Sequence, residues 1–158
     1  MREAFGAMRM GAIVIVSPDV GDSEAVIDLL AAQLAEHHIG TSRRAIAIAV
    51  DGMMKDDRRG FLLIAKDESR VVGVAYVSFT WTLEHGGKSA WLEELYVVPD
   101  RRESGIGRRL LASALEIAKA AGCAAVDLEV DAEHSRAAKL YSREGFRPLT
   151  RARWTRAL

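Results

Sequence analysis

A glycine-rich turn is the part of this chain whose residue types and spacing point most directly to chemistry. The stretch VVPDRRESGIGRRLL, residues 97–111, contains the spacing Arg102-x-x-Gly105-x-Gly107 directly before a helical pattern. Glycines let the backbone approach a ligand closely, and the free N–H groups and dipole of a helix start attract anions. The turn therefore suits a pyrophosphate.

Two other phosphate-binding loops do not match this turn. A P-loop ends in Gly-Lys-Ser/Thr, whereas Arg108 and Arg109 follow the second glycine here. A dinucleotide-binding fingerprint needs a third glycine where Leu110 stands, and the remaining chain is too short for the full two-halved sheet.

A second motif follows, HSRAAKLYSREGF at residues 134–146. In this order and spacing the two motifs resemble the GNAT N-acetyltransferase superfamily. Its acetyl-CoA signature is Arg/Gln-x-x-Gly-x-Gly/Ala, and its later segment reads Asn-x-x-Ala-x-x-Leu-Tyr-x-x-x-Gly-Phe. The resemblance covers nearly the whole chain. It implies acetyl transfer from acetyl-CoA to a primary amine by direct attack in a ternary complex.

The resemblance also implies where acetyl-CoA binds. Pantetheine would enter between splayed fourth and fifth strands and pair with the backbone at Leu95 and Val97, and the pyrophosphate would lie on the amides of residues 103–108. Arg143 would reach the 3′-phosphate. The full set of expected cosubstrate contacts is Leu95, Tyr96, Val97, Arg102, Glu103, Ser104, Gly105, Ile106, Gly107, Arg108, His134 and Arg143.

Three departures from the family pattern accompany this expectation. His134 stands where the family often has Asn, and Arg101 replaces a common aromatic residue. Glu103 and Ser104 replace the more usual Gly and Lys. A carboxylate at position 103 weakens CoA binding unless it points away from the phosphates.

Two residues are expected to move protons, because the amine must lose a proton and the leaving thiolate must gain one. Glu93 matches the family's base glutamate and would act through a water. Glu94 would point to the other face of the strand unless a bulge turns both toward the cleft. Tyr141 matches the family's tyrosine near the sulfur, and an ordinary tyrosine pKa of about 10 keeps it protonated at neutral pH.

The expected acceptor is a small cationic amine. The triplet at residues 92–94, Leu-Glu-Glu, resembles the Leu-Glu-acidic triplet of diamine and polyamine acetyltransferases, and paired carboxylates attract ammonium groups. Phe79, Trp81 and Glu94 are the expected acceptor contacts. Aminoglycosides, a protein N-terminus or lysine, and an amino acid are alternative acceptors.

A non-catalytic acyl-CoA-binding module is the alternative from another class of protein. The presence of both Glu93 and Tyr141 argues against it.

Alternating strands and helices must position these residues. The predicted strands cover residues 12–16, 61–66, 71–83, 89–98 and 124–130, with a last extended segment at 145–155. The predicted helices cover residues 23–38, 43–55, 105–121 and 135–144. The order βααβββαβαβ predicts an α/β (α+β) fold. Its mixed, mostly antiparallel central sheet is flanked by helices and contains one parallel crossover.

Composition excludes several classes of function. The chain has 22 Lys plus Arg and 22 Asp plus Glu, so no overall charge attracts nucleic acid or anionic lipid. The one cysteine, Cys123, excludes an internal disulfide and a cysteine-based zinc cluster, and His37, His38 and His85 show no metal-ligand spacing. The apolar stretch at 11–16 is too short to span a membrane and is not followed by a cleavage site.

These observations predict a single domain over residues 1–158 in the cytoplasm. They predict no metal, nucleic-acid or membrane partner, and the family resemblance implies a homodimer.

Overall fold

The chain folds around one five-stranded sheet, as seen in a computed structural model that describes residues 12–131 and 133–158. The strands lie in chain order, and each neighbouring pair is antiparallel except the last, which is parallel. They are β1 (Val14–Val16), β2 (Gly60–Asp67), β3 (Arg70–Thr82), β4 (Gly87–Val97) and β5 (Val126–Leu128). The predicted mixed, mostly antiparallel sheet is confirmed. The predicted domain, 1–158, includes residues 1–11 and 132, which lie outside the described residues.

Helices cover both faces of this sheet. In the described part of the chain they are α1 (Ser23–Glu36), α2 (Arg43–Lys55), α3 (Ile106–Ala120) and α4 (Ser135–Arg143). One core lies between the sheet and α1 and α2, with Val26 and Val50 almost fully buried. The other lies between the sheet and α3, where Leu110 and Leu111 are fully buried. Apolar residues three and four positions apart on each helix provide these buried faces.

The fourth and fifth strands separate after a short paired stretch. β4 pairs with β5 only from Ala90 to Leu92, opposite Val126 to Leu128. β4 then continues to Val97 beside β3 alone, so residues 93–97 have no strand on their other side among the residues described. The predicted splay therefore opens a gap between β4 and β5, at one side of the sheet.

The segment after α4 differs from the prediction. Residues 145–155 are predicted to be extended as a last strand, but no strand follows β5 in the part of the chain that the structure describes. Pro148 lacks the N–H group that a strand ladder needs. Arg151 and Arg153 instead form ion pairs with Glu84 and Glu129.

The single cysteine lies at the α3-side core. Cys123 follows the end of α3 and packs against that core in a partly buried position. Burial raises the pKa of its thiol above the ordinary value. Of the helices in residues 12–131 and 133–158, none has the length and apolar content needed to cross a lipid bilayer.

Two leucine substitutions test the assignment of the α3-side core. Leu110 is 0% exposed, whereas Leu83 at the end of the β3–β4 hairpin is fully exposed. We expect Leu110→Ala to lower the free energy of unfolding by about 2–5 kcal/mol, because it leaves a cavity. Leu83→Ala, the matched control, should change it by less than about 0.5 kcal/mol. Urea denaturation followed by circular dichroism measures both, and equal losses would contradict the assigned core.

Candidate active site

A β-bulge places two carboxylates beside the gap in the sheet. Val77 of β3 lies opposite Leu92, but the neighbouring Tyr76 lies opposite Glu94, so Glu93 is an extra residue in β4. Leu92 and Leu95 both pack on the α3-side core. Glu93 and Glu94 therefore occupy the position that a single residue would take on the α1 side of a regular strand. The bulge anticipated for these glutamates is present.

The two glutamates have different environments. Glu93 is exposed, whereas Glu94 is partly buried. Burial raises the pKa of Glu94, and the nearby negative charge of Glu93 adds to the effect. A hydrogen bond from Gln33 of α1 and the proximity of His37, just after α1, oppose the rise without cancelling it. Glu94 therefore binds a proton more readily than an ordinary glutamate does.

Tyr141 lies close enough to Glu94 to respond to its charge. Burial raises the pKa of Tyr141 to about 12, and the negative charge of Glu94 contributes to the rise. The ring packs against the α3-side core, with its centroid 5.8 Å from that of Phe146. The phenol therefore stays protonated at neutral pH and can donate a proton. Glu94 and Tyr141 thus combine a proton acceptor and a proton donor beside the gap between β4 and β5.

The glycine-rich turn forms an open N-terminus for α3. Gly105 is the N-cap residue with φ of 81°, a conformation that favours glycine. A Cβ atom at Gly105 would meet nothing within 4 Å, so the space above the turn is open. The next amides, from Ile106 to Arg108, lie in the first turn of the helix, where N–H groups have no acceptor within the helix. Such a turn can bind an anion with its backbone alone.

Charged side chains around the turn are paired with one another. Arg102 Nη2 lies 2.8 Å from Oε1 of Glu36 on α1, and Arg108 Nε lies 2.7 Å from Oε1 of Glu144. Glu103 lies 2.8 Å from Arg136 of α4, which offsets the negative charge of that carboxylate. Apart from Glu144, whose side chain is 16% exposed, the side chains of these pairs are 38–77% exposed, and exposed ion pairs contribute little stability. A phosphate group can therefore compete with Glu36 and Glu144 for the two arginines.

Ser104, Gly107 and Arg143 are further expected cosubstrate contacts. The Ser104 hydroxyl donates to the Arg101 carbonyl oxygen at 2.5 Å. A Cβ at Gly107 would lie 3.8 Å from Val97, so this glycine is close to the end of β4. Arg143 ends α4 and is exposed.

Tyr96 and Val97 already make contacts within the protein. The Tyr96 side chain is buried in the α1-side core, and its hydroxyl donates to Glu36 at 3.1 Å. The Val97 carbonyl oxygen accepts a hydrogen bond from Arg102 at 2.9 Å. Leu95 lies opposite Ala75 on β3, and its other edge faces the gap.

Two expected acceptor residues lie on the other side of the sheet. Phe79 packs on the α3-side core, and the Lys88 ammonium lies 3.8 Å from its ring centroid. Trp81 is two residues further along β3, on the same face, and is 81% exposed. Glu94 accepts a hydrogen bond from Gln33 of α1 and lies near His37 just after α1, so Glu94 lies on the opposite face. The structure therefore does not bring Phe79 and Trp81 to Glu94.

A cluster that the sequence spacing did not reveal lies near Glu94. His37, just after α1, has Nδ1 3.1 Å from Asp131 Oδ2, and its ring centroid is 4.6 Å from that of His134. Ligand-type atoms of these three residues lie within 4.8 Å of one another. The contact between His37 and Asp131 and the packing of the two rings account for this arrangement without a metal ion. His37 and Asp131 are too far apart in sequence for any local pattern to link them.

Comparison with known proteins gives the family of this fold and site. Residues 24–146 match the model of the acetyltransferase (GNAT) family. The mycothiol acetyltransferase of Kocuria rhizophila is 39% identical over 103 residues, which cover 61% of this chain and 32% of that relative. The thialysine N-epsilon-acetyltransferase of Sus scrofa is 35% identical over 77 residues, 49% of this chain and 43% of that relative. The chain thus spans less than half the length of either relative.

Solved structures share the whole fold. An aminoglycoside N-acetyltransferase in complex with CoA aligns with a TM-score of 0.81 at 20% identity, covering 95% of this chain and 97% of that one. Similarity at this level of identity shows the fold alone. Together with the family model, which spans most of the chain, it confirms the resemblance seen in the two sequence motifs: this chain belongs to the GNAT acetyltransferase family.

Proposed function

We propose that this protein transfers an acetyl group from acetyl-CoA to the primary amine of a small cationic molecule. The observation that carries the proposal is the bulge that turns Glu93 and Glu94 to one side of β4 where β5 diverges from it. Tyr141 is close enough to Glu94 for that charge to raise its pKa. The open turn at Gly105 lies at the end of the same strand. Family membership supports acetyl-CoA as the cosubstrate, and the reaction needs no metal.

The cosubstrate lies along the gap in the sheet. Its pyrophosphate accepts hydrogen bonds from the amides at the start of α3, and Arg102 and Arg108 exchange their carboxylate partners for phosphate oxygens. Its pantetheine arm enters between β4 and β5 and pairs with the free edge of β4 at Leu95. His134 and Arg143, on and beside α4, contact its outer part.

Proton transfer uses Glu94 and Tyr141. Glu94 accepts the proton of the acceptor ammonium, directly or through a water, and the free amine attacks the thioester carbonyl. The carbon–sulfur bond then breaks and Tyr141 donates its proton to the leaving thiolate. The second proton that the nitrogen loses as the amide forms returns to the tyrosinate, directly or through water. The family match favours Glu93 as the base. The partial burial of Glu94, which raises its pKa, instead supports Glu94 in that role. Glu93, exposed at the mouth of the site, attracts the cationic acceptor.

The acceptor class follows from charge. Glu93 and Glu94 are adjacent carboxylates on the α1 side of β4, where the acceptor would bind. Carboxylates raise the local concentration of ammonium groups. The names of the relatives, mycothiol and thialysine acetyltransferases, also indicate small molecules. A diamine or polyamine fits both observations. For the whole protein, the family resemblance supports a homodimer, and the sequence predicts a cytoplasmic location. Gel filtration with light scattering tests the dimer.

The discriminating experiment is a thiol-release assay with purified protein, acetyl-CoA and a panel of amines. The panel contains putrescine, spermidine, an aminoglycoside, free lysine and a peptide amine. Release of CoA that depends on spermidine or putrescine supports the proposal. Binding of acetyl-CoA without release in the presence of any amine would instead indicate an acyl-CoA-binding module.

A pair of glycine variants tests the phosphate-binding turn. Gly105 and Gly122 both have φ near 80° and open space around a Cβ, but Gly122 lies past the far end of α3. Gly105→Ala should weaken acetyl-CoA binding about tenfold or more, because its methyl group lies where the phosphate approaches the backbone. Gly122→Ala carries the same backbone strain and should leave affinity unchanged. Calorimetry measures both, and equal affinities would exclude the turn as the site.

Paired glutamine variants identify the base. Glu94→Gln should lower turnover about a hundredfold, the usual scale for general-base catalysis. The raised pKa of Glu94 places its loss of a proton above the ordinary glutamate range, so turnover in the parent should rise with pH through that value. This rise should disappear in Glu94→Gln. Glu93→Gln should mainly raise the KM of cationic acceptors. The opposite pattern would make Glu93 the base, as the family match predicts.

The proton donor is tested by Tyr141→Phe, which keeps the ring and removes only the hydroxyl. Turnover should fall on the order of a hundredfold while acetyl-CoA affinity stays unchanged. Single-turnover kinetics together with calorimetry separate the two effects. If turnover stays within about twofold of the parent, Tyr141 has a packing role only.

A further inference from the structure

The C-terminal segment places a guanidinium group on the α1 side of the sheet, the side on which Glu94 lies. Arg153 Cζ lies 5.5 Å from the centroid of the Trp91 ring. Its Nη1 atom lies 2.9 Å from a carboxylate oxygen of Glu129, just after β5. Close by in sequence, Arg151 forms an ion pair with Glu84 at 2.5 Å. A cation thus contacts both an aromatic face and a carboxylate.

Trp91 lies on the same face of β4 as Glu94. Its neighbours Ala90 and Leu92 both pack on the α3-side core, so the Trp91 side chain points to the opposite face, toward α1. Trp91 lies opposite Ser78 and Glu94 lies opposite Tyr76, two residues apart on β3, so Trp91 and Glu94 are separated by about 7 Å along the sheet. The position of Arg153 is therefore within reach of an acceptor molecule whose amine lies at Glu94.

We propose that Trp91 and Glu129 form a second cation subsite of the acceptor site, and that Arg153 occupies it until a dicationic acceptor displaces it. This inference rests on the proposed acetyl transfer to cationic amines. It adds the residues that select a second positive charge. It also assigns the C-terminal segment the role of an internal competitor.

The contacts of Arg153 suit displacement. An exposed cation–π contact and an exposed ion pair are both weak. The side chains of Arg153 and Glu129 are 64% and 46% exposed, and residues 147–158 are exposed throughout. The segment can therefore leave without disturbing either core. An alkylammonium offers the same two interactions to Trp91 and Glu129 as the guanidinium does.

The distance between the two subsites predicts which acceptors benefit. An extended chain covers about 3.3–3.6 Å for every three backbone bonds, so about 7 Å corresponds to roughly six bonds. Long diamines and triamines of this reach can place one nitrogen at Glu94 and another at Trp91. Monoamines of equal length cannot use the second subsite. KM for a series of α,ω-diamines should therefore fall as the chain lengthens toward this reach. KM for monoamines of matched length should not show this fall.

Variants of the subsite and of the tail provide the test, measured as KM by thiol release with the full chain. Arg153→Gln should lower the KM of a long diamine about threefold by freeing the subsite, and Glu129→Gln and Trp91→Leu should each raise it by a similar factor. All three should leave the KM of the matched monoamine unchanged. Arg156→Gln, the same charge change three residues further along the tail, is the control and should behave like the parent.

The outcomes separate this inference from the function on which it rests. A parent protein that acetylates no amine overturns both. A parent that acetylates amines, with Arg153→Gln indistinguishable from Arg156→Gln on diamines, overturns the subsite alone. Equal changes for monoamines and diamines in Glu129→Gln also overturn it, because a general charge effect would then explain the result. Since Glu129 is partly exposed, its variant keeps the test valid even if Trp91→Leu fails to fold.

Discussion

The site depends on unsatisfied backbone hydrogen bonding along β4. Each buried N–H and C=O group needs a partner, and β3 supplies partners on only one side of this strand. β5 supplies them on the other side as far as Leu92 and then diverges. The exposed edge that follows is costly for the protein alone but suits a ligand that carries amide groups of its own. The bulge with its two glutamates lies along this edge, and the glycine-rich turn follows its end.

The bulge at Glu93 places two carboxylate side chains beside that exposed backbone edge. In a regular strand, one of the two adjacent glutamates would enter the α3-side core, where a charge has a high desolvation cost. The extra residue keeps both on the α1 side and lets them differ in exposure. That difference, rather than residue type, raises the pKa of Glu94, and it underlies the separate roles proposed for two identical side chains.

The sequence was most informative where a pattern is local. Glycine spacing before α3 and the apolar periodicity of the helices predicted the turn and the order of elements, because backbone freedom and face burial depend on near neighbours. The face on which Phe79 lies, and the meeting of His37 with Asp131, depend on long-range packing that no local pattern contains. The missing last strand has a similar cause. The arginine-rich segment after Pro148 forms ion pairs with carboxylates that are distant in sequence, rather than the backbone hydrogen bonds of a strand.

The partly buried position of the single cysteine has a consequence for thiol–disulfide exchange. Members of this family that use acetyl-CoA release a free thiol at every turnover, and disulfides of CoA accumulate whenever that thiol oxidises. An accessible thiolate on the protein would attack such disulfides and become capped with CoA. Cys123 has a raised pKa and is only partly accessible, so its reactive fraction is small. The chain thus has little tendency to be modified by disulfides of CoA.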